Sequence, residues 1–402
     1  MRVFKVVIAL PIAIIAIILL IIIATQTIPG LGISSYRTLF NTMTGQGAGS
    51  PDQQQINNLI TPEGFQVSVF ADNIPQARML KITPRGDLLV SSPSKGTIFL
   101  LQDNNQDGRA DVSIPLVKNL NRPHGIDLYK DGKNYWLYIA ETDAVGRIAV
   151  DWQTGTALGK YHRLITDVPS SKGHWTKTIQ FGPDGWLYLT SGSSCNVCEE
   201  KDPKRATMMR FQPDGSEGHI YASGLRNAVG FDWTPWNNDL YATDNGRDLL
   251  GDDFPPCELN LIKQNGFYGW PFINGFGDLD PDYGNGKESL LPQSISPSFG
   301  FRAHNAPLGI HFLHHPNHPQ DYKYSALVAL HGSWNRSTPD GYKVISLHWD
   351  EDGNITSKDF LSNFLQNNQQ IIGRPVDIEE GQDGSIYISD DYAGVIYRVL
   401  YK

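Results

Sequence analysis

Apolar positions alternate between Ile179 and Leu189. Ile179, Phe181, Leu187 and Leu189 share one face of two short runs, and Gly182-Pro183-Asp184-Gly185 separates them. A period of two around Pro-Asp-Gly predicts a β-hairpin with a tight turn. The same pattern recurs, with Leu-Tyr-like strands behind Gly- or Asp-rich turns at residues 86–90, 135–139, 185–189, 238–242, 325–329 and 384–388. Most intervals are roughly fifty residues, the size of one four-stranded propeller blade. One blade cannot bury both faces of its sheet, so the repeats must stack in a ring. Residues 394–400 also alternate, and pairing with 65–70 would close that ring and protect its edges. The longest interval, residues 252–305, reads as a functional insertion. The expected fold is all-β, a six-bladed β-propeller over residues 61–402. A β-sandwich with a second domain is the alternative.

Residues 6–24 depart from this pattern. They form an uncharged apolar run, long enough to cross about 30 Å of hydrocarbon. Arg2 and Lys5 precede it, which places the N-terminus in the cytoplasm and exports the rest. Residues 1–26 therefore read as an N-terminal transmembrane helix that anchors an extracytoplasmic protein in the membrane, in the periplasm or on the outer cell face. A cleaved signal peptide is the rival reading, but the run is long for an h-region and no Ala-x-Ala site follows. Residues 27–60 are polar, with Gly and Ser clusters, and read as a linker.

Composition narrows the function. The net charge is -9 and no Lys/Arg-rich block occurs, which argues against nucleic acid as a partner. Cysteine is limited to Cys195, Cys198 and Cys257, so at most one internal disulfide can form. A local Cys195–Cys198 bridge near His174 is the first expectation, and a bond from either to Cys257 is the second. Asp103, Asn105, Asp107 and Gly108 have the spacing of a calcium loop, but Ile114 stands where a full loop needs Glu. A plain polar turn is the other reading.

The loops between strands carry more chemistry than turns need. His174 stands at a strand mouth, where an imidazole can serve as a base. Further candidates are Arg226-Asn227, Asp244-Asn245-Gly246-Arg247, Asp253, Glu258, His331, Arg336 and Arg374, with His124, His304 and His311 more structural in character. Singly, each is an ordinary surface or turn residue. At one channel mouth they would suit a planar polyanion.

Gly173-His174, Gly224-Leu225-Arg226-Asn227, Asp244-Asn245-Gly246, Glu258-Leu259-Asn260-Leu261-Ile262 with Tyr268-Gly269-Trp270-Pro271, and Gly373-Arg374-Pro375-Val376-Asp377 resemble the soluble quinoprotein glucose/sorbosone (aldose sugar) dehydrogenases. The resemblance spans about residues 65–401. It implies pyrroloquinoline quinone (PQQ) and Ca²⁺ as cofactors and oxidation of a sugar, an aldose or sorbosone-like compound. It makes His174 the base, Arg226 a cation beside the reactive carbonyl, and Asn227 and Arg374 cofactor ligands. It gives the Gly246 and Arg247 carbonyls to calcium, and sets Asp253 and Glu258 near a second calcium site. Lys177 intervenes where the family has Arg, and His331 or Arg336 would replace a family lysine. The Cys195–Cys198 pair suggests a sorbosone-like subgroup. Electrons would pass to an external acceptor. A calcium-dependent lactonase and a non-catalytic binding propeller are the rival functions.

Overall fold

The computed structural model describes residues 49–170, 173–367 and 370–402. Six antiparallel blades stand in chain order around a channel, numbered I to VI here. Their innermost strands are Leu80–Ile82, Ile126–Asp131, Ile179–Phe181, Ala228–Trp233, Pro307–Phe312 and Pro375–Glu380. The second strands are Leu88–Ser92, Asn134–Ala140, Leu187–Ser191, Leu240–Asp244, Ser325–Leu330 and Ile386–Asp390. These second strands are the six Leu-Tyr-like repeats of the sequence. They are almost wholly buried because both faces of a blade are covered by its neighbours. Phe65–Ala71 supplies the outer strand of blade VI and pairs with Val395–Tyr401, Val67 opposite Val399, so the expected closure is present.

Each junction between blades holds its own apolar cluster. Leu89, Ile98 and Leu100 of blade I meet Leu137 and Ile139 of blade II. Leu327, Val344 and Phe360 of blade V meet Ile378, Ile388 and Val399 of blade VI. Burying a Leu- or Phe-sized side chain contributes about 1.5–3 kcal/mol, and such side chains recur around the ring.

At the centre the chain is polar. Five of the innermost strands line the channel with Lys81, Gln180, Asp232, His311 and Glu379, and the sixth brings Asp127 against Lys81. Carboxylates on blades II, IV and VI alternate with nitrogen-bearing groups on I, III and V. Lys81 Nζ lies 3.2 Å from Asp127 and 3.8 Å from Glu379. Gln180 donates to Asp232 at 3.1 Å. The same carboxylates also accept backbone N–H groups of the next blade. Asp127 accepts from Phe181 at 2.7 Å, Asp232 from Phe312 at 2.8 Å and Glu379 from Ile82 at 3.0 Å. Asp377 accepts from Leu80 at 2.8 Å. The backbones come close enough that a side chain at Gly230 would overlap the Leu308 carbonyl oxygen of the next blade and press on Gly309.

Three expectations change. Part of the supposed linker is ordered: Asp52 and Gln55 form a capping box on the helix Gln53–Asn57. Ile56 and Leu59, three apart, turn inward and are buried, and Ile60 bridges to Ser362. The insertion begins later than residue 252, because Cys257–Leu261 is a regular third strand paired with Leu240–Asp244. The inserted stretch instead follows it, and Gly266–Phe267 adds to blade III as a parallel strand. The loop at Asp103 is a self-satisfied turn, its carboxylate accepting from the N–H groups of Asp107 and Gly108. The apolar run at 6–24 lies outside the described residues, among which no helix is long and apolar enough to cross a membrane.

Replacing Gly230 with Ala is expected to lower stability by about 3 kcal/mol, the upper range for overpacking. Urea unfolding checks this, and an unchanged midpoint would count against the close approach of blades IV and V.

Candidate active site

Antiparallel pairing puts the start of each innermost strand beside the end of the second. Ala228 faces Asp244, Pro307 faces Leu330 and Pro375 faces Asp390. Loops at these two positions therefore open on one face of the ring. His174, Arg226-Asn227 and Arg374 precede innermost strands, while Asn245-Gly246 and His331 follow second strands. The topology brings these residues to the same channel mouth.

His174 is held by blade III. Its Nδ1 lies 3.0 Å from Ser193 Oγ and 3.1 Å from the Ser193 carbonyl oxygen. Ser193 Oγ donates its own proton to the Cys195 carbonyl at 2.7 Å. Both Ser193 oxygens therefore accept from the ring, which fixes the tautomer with the proton on Nδ1. Nε2 keeps its lone pair. Burial, with the Arg226 charge beside it, lowers the His174 pKa to about 3, so the imidazole is neutral near pH 7. Gly192 is flanked by His174 Cβ and Asn227 Oδ1, which brings these two residues together. Asn227 Oδ1 is buried without a partner.

Arg226 is almost fully buried, and its five N–H groups are taken up within the protein. Nε donates to the Asn196 carbonyl at 2.9 Å. Nη1 donates to the carbonyls of Asn245 at 3.0 Å and Gly246 at 2.9 Å. Nη2 donates to Asn196 Oδ1 at 2.9 Å and reaches Asp248 at 3.5 Å. Arg226 thus offers charge rather than a free hydrogen bond. Asn196 also joins Asp248 through both its amide groups. It lies inside the loop closed by a Cys195–Cys198 disulfide, the expected pairing. Cys257 is a free, buried thiol. The disulfide loop therefore braces His174 through Ser193 and Arg226 through Asn196.

A second cationic group lies across the mouth. Arg374 donates to the carbonyls of His331 at 3.0 Å and Gly332 at 2.9 Å. His331 Nε2 lies 2.9 Å from Asp391, whose other oxygen pairs with Arg78 at 2.7 Å. Burial, and then the Arg374 charge, lowers the His331 pKa to about 4. The Arg122 guanidinium lies over the Trp175 ring at 4.0 Å, and His124 meets the same ring edge-on.

A family model described as TrAA12-like matches residues 59–253 and 287–402.

The chain belongs to the TrAA12-like family. An uncharacterized protein of Borreliella burgdorferi is 33% identical over 86% of this chain and 92% of its own length. A pyrroloquinoline quinone-dependent pyranose dehydrogenase of Coprinopsis cinerea is 24% identical over 84% of this chain. The match spans 54% of that enzyme, so this chain corresponds to about half its length. The holo form of the PQQ domain of the Coprinopsis pyranose dehydrogenase superposes with a TM-score of 0.73 at 21% identity, covering 88% of this chain and 99% of that domain. This likeness establishes the fold.

Within this TrAA12-like chain, several expected site residues stand away from the mouth. Lys177 is fully buried, its ammonium reaching only the Thr176 carbonyl at 3.4 Å, and presents no surface to a ligand. Burial and Arg205 lower its pKa to about 7. Arg336 holds the 252–253 loop, pairing with Asp253 at 3.1 Å and with the Asp252 carbonyl. The Arg247 side chain anchors the insertion through Asp280 at 2.7 Å and Asp282 at 2.8 Å. Glu258 is enclosed opposite Asp244 in the strand pair and accepts from Asn260 and Gly275. Burial raises the carboxyl pKa of Asp244, and burial together with the Asp244 charge raises that of Glu258. Asn196, Arg78, Arg122 and Trp175 were not singled out from the sequence. An Asn between two cysteines close to a candidate base was the available signal for Asn196.

Imidazole ¹⁵N resonances are expected to show His174 as the neutral Nδ1–H tautomer from pH 8 down to about pH 4. A His174 signal titrating near 6.5 would remove this assignment.

Proposed function

We propose that the chain is a PQQ-dependent sugar dehydrogenase, an oxidoreductase acting on a CH–OH donor. The observation that carries the reading is the fixed tautomer of His174 beside a buried, saturated Arg226. A lone-pair nitrogen and a buried guanidinium are thus held together at one channel mouth.

The residues fit a flat polyanion. Arg78 and Arg122 supply cations beside Trp175, Arg374 adds a third at the His331-Gly332 loop, and the unpartnered Asn227 oxygen awaits a donor. The quinone, when bound, supplies the two-electron acceptor that no side chain offers. His174 Nε2 takes the hydroxyl proton of the sugar as its C–H hydrogen leaves as hydride, and Ser193 keeps the ring oriented. Arg226 stabilises negative charge developing nearby, and its rigid hydrogen bonding means that little reorganises during the reaction. Calcium, as a hard Lewis acid, would take the carbonyl oxygens of Gly246 and Arg247. The Gly246 oxygen has a second lone pair besides the one facing Arg226. Glu258 would contribute to a second cation site.

Export to an oxidising compartment agrees with the Cys195–Cys198 disulfide and with the cationic, apolar N-terminus, which we read as a membrane anchor. An external acceptor would remove the electrons. Preference between an aldose and a sorbosone-like substrate belongs to the assay.

Full-length chain given PQQ and Ca²⁺ should acquire cofactor absorbance and reduce a dye with a panel of aldoses. His174→Ala should keep the absorbance and lose roughly 10²–10⁴-fold in kcat. Asn196→Ala should lose about tenfold or more, the loss expected when a charge-assisted hydrogen bond is removed. Neither absorbance nor turnover in the intact chain would end the proposal. The depressed His174 pKa carries a further sign. Protonation would abolish the base only near pH 3, so kcat/KM should not fall with an apparent pKa of 6.5 on the acid side while the protein stays folded. A limb at that pH would exclude His174 as the base.

A further inference from the structure

We propose that the channel exit opposite the candidate active site binds a divalent transition metal of the Zn²⁺ class through His311, His314 and Glu380. His311 lies near the end of the innermost strand of blade V, and His314 lies two residues past that strand. Glu380 ends the innermost strand of blade VI. One ligand atom from each side chain lies within 4.8 Å of the other two. Ligands around a tetrahedral ion with bonds of about 2.0 Å stand about 3.3 Å apart. Small side-chain rotations would therefore bring all three into place.

Three observations separate this cluster from an ordinary ion pair. First, His311 lacks a close partner: Nε2 is buried and unbonded. Its Nδ1 stays 3.7 Å from Asp232 and 4.0 Å from Glu379, outside hydrogen-bond range. Second, Glu380 is oriented as a supported metal ligand is. His318 Nε2 donates to Oε1 at 2.5 Å, and the His315 N–H donates to the same oxygen at 3.2 Å. Oε2 faces His314 Nδ1 at 2.8 Å. Outer partners of this kind fix the geometry of metal ligands. Third, the exit is short of positive charge. Asp127, Asp232, Glu379 and Glu380 converge there, and Lys81 is the one ammonium among the groups lining the exit cavity.

Two imidazoles and a carboxylate favour Zn²⁺, Ni²⁺ or Cu²⁺ over the all-oxygen shells of Ca²⁺ and Mg²⁺. The exit opens into a cavity of about 470 Å³, and His314 is 60% exposed. An ion can therefore enter from solvent and keep a water ligand. Bound there, it would tie blade V to blade VI without touching the opposite mouth.

Tag-free full-length protein, stripped with a transition-metal-selective chelator and titrated with Zn²⁺, should bind one equivalent and unfold at a higher temperature. His311→Ala and His314→Ala should each weaken binding about tenfold or more and cancel the thermal shift. Cofactor absorbance and dye reduction should remain. Exposed His314 makes the second variant safe for folding. Absence of a stoichiometric Zn²⁺ equivalent in the unaltered chain, or equal binding in both variants, would overturn the site.

Discussion

The structure depends on buried carboxylates that accept backbone N–H groups from the next blade. Asp127, Asp232 and Glu379 do this at alternate junctions around the channel. Each such bond to an ionised group is worth about 1.5–3 kcal/mol, and removing one would leave both a charge and an N–H unsatisfied. The apolar clusters between blades supply more stabilisation in total, but they are tolerant of sliding. The carboxylate bonds are directional, so they set the height of one innermost strand against the next. Because those strands are in register, the loops before them come to a common level.

That level is what makes a site from distant sequence positions. His174, Arg226 and Arg374 are separated by long stretches of chain, yet each precedes an innermost strand. The disulfide loop then fixes the remaining freedom. Ser193 holds one ring nitrogen of His174, and Asn196 occupies two of the three nitrogens of Arg226. The orientation of the His174 imidazole and the Arg226 guanidinium is thus built into the resting protein, as the proposed electrostatic preorganisation requires. The substrate need not organise them.

The fold was largely legible because each blade repeats its own local pattern. The Leu-Tyr-like strands are buried on both faces, so their apolar runs were conspicuous, and the closing strand alternated visibly. The placement of the candidate residues was legible where a residue sits at a strand end: His174, Arg226, Asn227, His331 and Arg374 reach the same mouth. It was not legible where the decisive property is a partner. Nothing local distinguishes the arginines at 336 and 247, committed to Asp253 and to Asp280 and Asp282, from Arg374. Lys177 was placed near a ligand by its neighbour His174, but the chain before the strand turns it into the protein interior. The capping box at Asp52 was missed because a single helical turn leaves too short a period to read.

The outermost strand of blade VI comes from the beginning of the propeller and its three companions from the end. A ribosome therefore releases Phe65–Ala71 long before Val395–Tyr401 exists to pair with it. Until the last strand is made this strand has no partner, and blade VI is the last that can form during synthesis. Long-range pairing of this kind is slow, and its unpaired edge is prone to wrong association. Once joined, the first and last strands of the propeller lock each other, so neither can fray without opening the circle.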